Sequence, residues 1–179
     1  PLVAVVRITV SAPGCKSLDR VIRLVDGSDQ LFITNTVDKL KVRDPESVSF
    51  GFPFNVPDGL MKINLQWGVM QPEVDQIEGA NKDFFCTRRW IDVSNKTYGV
   101  TWSSLDAPMV LFNPIAFSTG GWDKESYRTS IEPGQAFHSW VMNNHWETNY
   151  KASQEGKVTF RYALKPHVGG YDSVKAEQF

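Results

Sequence analysis

Residues 48–69 alternate apolar and polar side chains with little interruption. Val48, Phe50, Phe52, Phe54 and Val56 take every second position, with Ser49, Gly51, Pro53 and Asn55 between them. After the turn residues Pro57-Asp58-Gly59, Met61, Ile63, Leu65, Trp67 and Val69 alternate with Lys62, Asn64, Gln66 and Gly68. Successive side chains of an extended strand point to opposite faces, so a period of two collects every apolar residue on one face. A helix of the same residues would scatter them around its axis. The chain is therefore committed to half-buried strands. Pro53 has no N–H to donate and confines the first strand to a sheet edge or a bulge. Residues 61–69 read as the cleanest two-faced strand in the protein.

Extended patterns recur on both sides of this region. Residues 2–10 are β-rich and end at the turn residues Ser11-Ala12-Pro13-Gly14. A second run, 21–25, stops at Asp26-Gly27, the strongest short hairpin signal in the chain, and residues 30–37 resume the extended pattern. Residues 84–93 read as one strand with aromatic and charged residues on both faces, as expected where one side is covered and the other lines a groove. Short strands are expected at 98–102, 109–112 and 135–142, and a last amphipathic strand at 158–164 before a polar tail from 166 to 179. Residues 113–134, with Pro114, Gly120-Gly121 and Pro133, form a long loop, and loops of that length are usually functional or mobile. No window of a dozen residues has a 3.6-residue period with caps, so helix content should be small. About ten short strands imply an all-β, antiparallel sandwich or barrel, expected as one domain over residues 1–179.

Length and charge exclude several function classes. A chain of 179 residues can bury about 70% of its unfolded surface, enough for one sizeable core. Nineteen basic residues against twenty acidic ones, with no Lys/Arg run longer than two, remove the electrostatic footprint of a nucleic-acid binder or polybasic membrane anchor. No apolar run approaches the roughly 20 residues of a membrane span. The chain opens at Pro1 without a Met, which we read as a processed or excised piece. Cys15 and Cys86 have no metal-site spacing and are expected as two semi-buried free thiols.

Catalytic signatures are sparse. Hydrolysis of a glycosidic bond needs two carboxylates roughly 5 Å apart for retention and 6.5 to 9.5 Å for inversion. Asp75, Glu78, Asp92, Asp106 and Glu147 lie near aromatic residues, but nothing in the sequence pairs them. His138, His145 and His167 show no HxH or HExxH spacing, and no GxSxG elbow accompanies Ser103-Ser104. What remains is a binding pattern. Sugars are held by planar polar side chains that share out hydroxyls and by rings against the apolar face of the pyranose. Two windows supply that mixture: Arg88-Arg89-Trp90-Ile91-Asp92 and Asn143-Asn144-His145-Trp146-Glu147-Thr148-Asn149-Tyr150. Structural alternatives stand beside each. The arginines could bridge carboxylates across strands, the asparagines could bond their own backbone, and Trp140 and Trp146 could belong to the core.

Three ordered motifs resemble one family. Phe50-Gly51-Phe52-Pro53-Phe54-Asn55-Val56-Pro57 comes first, then residues 84–94 with Tyr98-Gly99-Val100, then residues 143–150. Together they resemble the C-terminal β-domain of glycoside hydrolase family 38, the α-mannosidases. Residues 3–38 also resemble the paired strands that open that domain, so the likeness spans most of residues 3–162. The pattern departs at His145, where relatives have Tyr. The resemblance implies a large antiparallel sandwich of the galactose-mutarotase-like kind. It also implies that zinc, its ligands and the aspartate nucleophile belong to an N-terminal α/β barrel outside these residues, so no metal ligand or catalytic residue is expected here. The implied partners are that catalytic domain and mannose-containing glycans, and a glycan-degrading parent would be bacterial and periplasmic or extracellular. The expected cleft edge is Arg88, Arg89, Asp92, Asn143, Asn144, His145, Glu147 and Asn149. A stand-alone carbohydrate-binding module and a mutarotase- or lyase-like enzyme are the alternatives.

Overall fold

The computed structural model describes residues 2–112, 115, 127–132, 134–144 and 151–179. Twelve strands and one short helix are present among them. In chain order they are β1 (Val3–Val10), β2 (Cys15–Val25), β3 (Leu31–Lys39), β4 (Ser47–Pro53), β5 (Leu60–Leu65), β6 (Gly68–Met70), β7 (Phe85–Cys86), β8 (Trp90–Ser94), β9 (Tyr98–Ser104), β10 (Met109–Phe112), β11 (Ala136–Asn143), β12 (Gly156–Val168) and α1 (Ser173–Glu177). Eight strands form one sheet in the order β1-β2-β3-β12-β9-β8-β5-β6, and four form a second in the order β4-β11-β10-β7. The two antiparallel sheets pack as a sandwich, as the alternation requires.

The core is made by the alternating residues themselves. Phe50 and Phe52 of β4, Val110 and Phe112 of β10, and Phe137 of β11 meet Ile91 and Val93 of β8, Trp102 of β9 and Tyr162 of β12. The ring centroids of Phe52 lie 4.9 Å from Tyr162 and 5.3 Å from Trp102, and Trp102 meets Phe137 at 5.1 Å. Removing a ring such as Phe137 costs about 3–5 kcal/mol in transfer and cavity terms. One hydrogen bond crosses the sandwich, from Tyr162 Oη to Ser139 Oγ at 3.0 Å. Burial pushes the Tyr162 phenol up to about 12, so it donates at any ordinary pH.

Several local expectations hold for the stated reasons. Pro53 ends β4, which is an edge strand. Asp26-Gly27 turns the chain between β2 and β3, with Gly27 at φ +77° and Ser28 N donating to Val25 O at 2.9 Å. Among the described residues helix is limited to the five of α1, started by the Asp172 side chain, which accepts from the Val174 and Lys175 amides.

Four expectations are corrected. Residues 61–69 are not one strand: Leu65 pairs with Gly68, so Gln66 and Trp67 form the tip of a two-residue hairpin joining β5 and β6. Trp67 leaves the apolar face and is 100% exposed. Residues 84–93 are likewise two strands in different sheets, β7 and β8, because the chain changes sheet at 87–89. Buried Thr87 holds that crossing, its Oγ1 donating to the Asn64 and Trp90 carbonyls at 3.2 and 3.1 Å. Every residue of β8 is buried, so it forms no groove. The polar tail is also structured. Pro166 and His167 lie in β12, and α1 packs under Ala176 against the outer face of the large sheet, where Trp90 meets Tyr171 at 5.4 Å. Finally, Cys86 is exposed rather than semi-buried; Cys15 is partly buried and both are free.

Candidate functional site

A β-bulge in β11 sets up the most ligand-like cleft. Trp140 pairs with Ser49 and Met142 with Val48, so Val141 is an extra residue and the face alternation is reset. Met142 returns to the core, whereas Trp140 and Asn143 share the outer face of the small sheet. There, Phe84, Met109, Trp140, Val141, Met142 and Asn143 line an open cleft of about 260 Å³. Phe84 and Trp140 are 5.8 Å apart at 48°. Two rings and an amide make a surface able to hold a ligand that has both an apolar face and hydroxyls. Among the described residues no acidic side chain lines this cleft, so these residues can bind a ligand but supply no acid–base couple of their own.

A second cavity of about 90 Å³ adjoins the end of β11, where Asn143 and Asn144 face Lys39, Glu46, Lys151 and Ser153. Lys39, nearly fully buried, pairs with Glu46 and donates to Gly14 O at 2.9 Å. Next to it, burial pushes the Cys15 thiol up against the opposing pull of Lys39, which favours its protonated form.

The candidate cleft-edge residues have different fates. Asn144 is engaged by the backbone: its Nδ2 donates to Val42 O at 3.1 Å and Ala152 O at 3.2 Å, and its Oδ1 accepts from Glu46 N at 2.7 Å. The amide ties loop 40–46 to the chain at 152, and one acceptor lone pair remains. Asn143 lines both cavities. Arg88 is exposed, fixed only through its backbone N–H to Asn64 O at 2.8 Å, and its guanidinium has no partner among the described residues. Arg89 sits 3.7 Å from Glu177 with both side chains largely in water, a contact worth little.

Asp92 differs most from expectation, for it is buried on the outer face of the large sheet rather than placed at a cleft edge. Its carboxylate accepts from Ser94 Oγ at 2.6 Å and Thr101 Oγ1 at 2.8 Å, and meets His167 Nε2 at 2.8 Å. His145, Glu147 and Asn149 lie outside the described residues. The described residues of the two sequence windows therefore do not meet at one cleft: Asn143 is joined there by Phe84, four residues before Arg88, and not by Arg89 or Asp92. Phe84 was inside the expected strand, but Met109 and Trp140 were not singled out as cleft residues. The bulge that turns Asn143 outward beside Trp140 has no glycine or proline to announce it.

Other charged clusters are structural. Lys82 pairs with Glu73 at 2.8 Å, and Arg128 Nε with Asp83 at 3.2 Å, pinning loop 71–83 to residues 128–131. Burial works against the Glu73 carboxylate, but the Lys82 and Ile131 hydrogen bonds hold it below its usual range. Among the described residues no three His, Cys, Asp or Glu side chains converge as a metal set. No described helix is long and apolar enough to cross a membrane. No family model matches this chain, and neither does any curated protein.

Proposed function

We propose that this chain is the β-sandwich domain of an α-mannosidase-like glycoside hydrolase of family 38, lining the edge of a substrate cleft whose catalytic half lies in an α/β barrel. The observation that carries the reading is the cleft between Phe84 and Asn143. Two of the three ordered motifs contribute to the same surface through Phe84 and Asn143, and among the described residues that surface offers rings and an amide with no acidic side chain. Such a surface suits a domain that binds sugar at the margin of a site and leaves bond cleavage to its neighbour. Zinc, if the parent enzyme uses it, would supply charge stabilisation in that neighbour. The test compares the purified 179 residues with the longer polypeptide on an aryl α-mannoside. Turnover is expected only in the longer protein, reduced by Asn143→Ala or Arg88→Ala; unchanged kinetics in both variants would sink the cleft assignment.

A specific observation favours one other reading, a carbohydrate-binding module. Trp67 stands fully exposed at a hairpin tip, where a ring is free to stack on a pyranose. Binding of oligosaccharides by the isolated chain, with quenching of Trp67 fluorescence that Trp67→Ala abolishes, would favour it over the hydrolase domain.

A further inference from the structure

The two sheets are unequal, eight strands against four, and the surplus lies at one end. Cross-strand rows locate it. The row Val6–Ile22–Ile33–Tyr162 and the row Val10–Leu18–Val37–Val158 both end in core residues, so Val6 and Val10 point to the same face as the core. Ala4, Ile8 and Leu24 belong to that face by the same register. Yet Val6 is 56% exposed, Ile8 43%, Val10 45% and Leu24 49%. The cover stops at β4: Phe50 meets Phe160 at 6.0 Å, and the Arg20 guanidinium lies 5.8 Å from the Phe50 ring while its Nε donates to Asn35 Oδ1 at 2.7 Å. Beyond Arg20 the inner face of β1 and β2 is an apolar shelf with no charge on β1. The opposite face mixes Val3 and Val5, 47% and 54% exposed, with Arg7, Thr9, Asp19 and Arg23, of which Thr9 Oγ1 donates to Asp19 Oδ1 at 2.5 Å. Among the paired residues of β1 and β2, charge is confined to that opposite face and to Arg20, so the inner side is the uniformly apolar one and the side suited to being covered.

We propose that β-strands of a neighbouring domain of the same polypeptide cover the shelf, adding alongside the free edge of β4 and so prolonging the small sheet over β1 and β2. The inference rests on the reading of the chain as one domain of a longer hydrolase. Two observations choose this occupant. The shelf consists of Ala4, Val6, Ile8, Val10 and Leu24, far fewer than the roughly 20–30 residues a side of a stable interface between separate chains. A second copy is therefore held too weakly, whereas a tethered domain arrives at an effective concentration on the order of millimolar. The open backbone edge of β4 borders the shelf, and only a strand satisfies both that edge and the face beside it.

The experiment is hydrogen exchange on the 179-residue chain and on the longer polypeptide, with Val6→Asp and Ile8→Asp against the opposite-face control Thr9→Asp. Amides of β1 and of the β4 edge should exchange at least about tenfold more slowly in the longer protein. Val6→Asp and Ile8→Asp should abolish that protection there, leave the 179-residue chain folded, and differ from Thr9→Asp. Equal exchange in the two proteins, or a 179-residue chain that sediments as a dimer dispersed by Val6→Asp, overturns the proposal. Aryl mannosidase activity is read separately. Protection without activity removes the hydrolase reading and keeps the docking, while activity with an unprotected shelf does the reverse.

Discussion

His167 Nε2 lies 2.8 Å from Asp92 Oδ2, joining β12 to β8 across the intervening strand β9. The reach is possible because the β9 residue opposite His167 is Gly99. A Cβ there would stand 2.3 Å from Ser94 Cβ and 2.7 Å from His167 Cε1. The glycine is thus a spacer for a side-chain network above it, and the network fixes three neighbouring strands of the large sheet.

Gly99→Ala should destabilise by about 2–4 kcal/mol, since backbone or ring must shift to admit the methyl group. Asp92→Ala should cost at least about 3 kcal/mol, because the buried Ser94, Thr101 and His167 groups lose their shared acceptor. Urea unfolding of both variants is the measurement. A midpoint for Gly99→Ala equal to that of the wild type would show that the network is not packed as described.

Asn144 and Arg88 should separate cleanly. Asn144→Ala removes three hydrogen bonds to backbone groups of 42, 46 and 152 and should cost about 1–3 kcal/mol. Arg88→Ala touches an exposed side chain and should stay within about 0.5 kcal/mol of wild type. Thermal melts of the two purified variants decide. Equal losses would mean that Arg88 has a structural partner, and no loss for Asn144→Ala would free its amide for ligand.

The alternation in the sequence carried the fold a long way, because a period of two is a property of each strand alone. Phe50, Phe52, Met61 and Ile63 are buried as that period requires. It failed where tertiary structure broke the period without local punctuation. Gln66-Trp67 turns with neither residue a glycine or proline, Thr87 lets the chain change sheets inside a run of mixed aromatic and charged residues, and Val141 resets β11. Asp92 was misplaced for a related reason: a carboxylate beside aromatic residues looks the same whether Thr101 and His167 meet it or a sugar does. Those partners come from strands that only the three-dimensional register brings alongside.

Stability should fall as the solution is acidified from pH 7.5 to 5. The His138 ring lies over Gly51, where an added Cβ would stand 3.4 Å from it, and burial lowers its pKa below 6.5. The unfolded chain then takes up a proton near 6.5 while the folded one does not, so stability is fully present above that value. It is lost progressively as pH falls towards the lower folded value. Asp106, held down mainly by its hydrogen bond from Arg161, contributes its loss only below 3.8, outside this window. Melting temperatures at pH 7.5 and 5.0 should therefore differ more for the wild type than for His138→Gln; identical differences would rule out His138 as the source.

Loop 71–83 should depend on one buried carboxylate. Asp83 Oδ1 accepts from the Arg128 amide at 3.1 Å and from its Nε at 3.2 Å, and the Arg128 carbonyl in turn accepts from Lys82 N at 2.8 Å. Asp83 is almost wholly buried, so Asp83→Ala takes the carboxylate from the Arg128 Nε and backbone N–H, although Nη2 keeps the Asp83 carbonyl at 3.2 Å, at a cost of about 3 kcal/mol. Asp83→Asn keeps an oxygen for the amide and should lose less. The neighbouring Lys82–Glu73 pair makes the effect local, since it still anchors the other end of the loop. Limited proteolysis should cut Asp83→Ala first within 71–83 while the sandwich core remains intact. Cleavage distributed over the whole chain would show instead that Asp83 supports the core and not the loop.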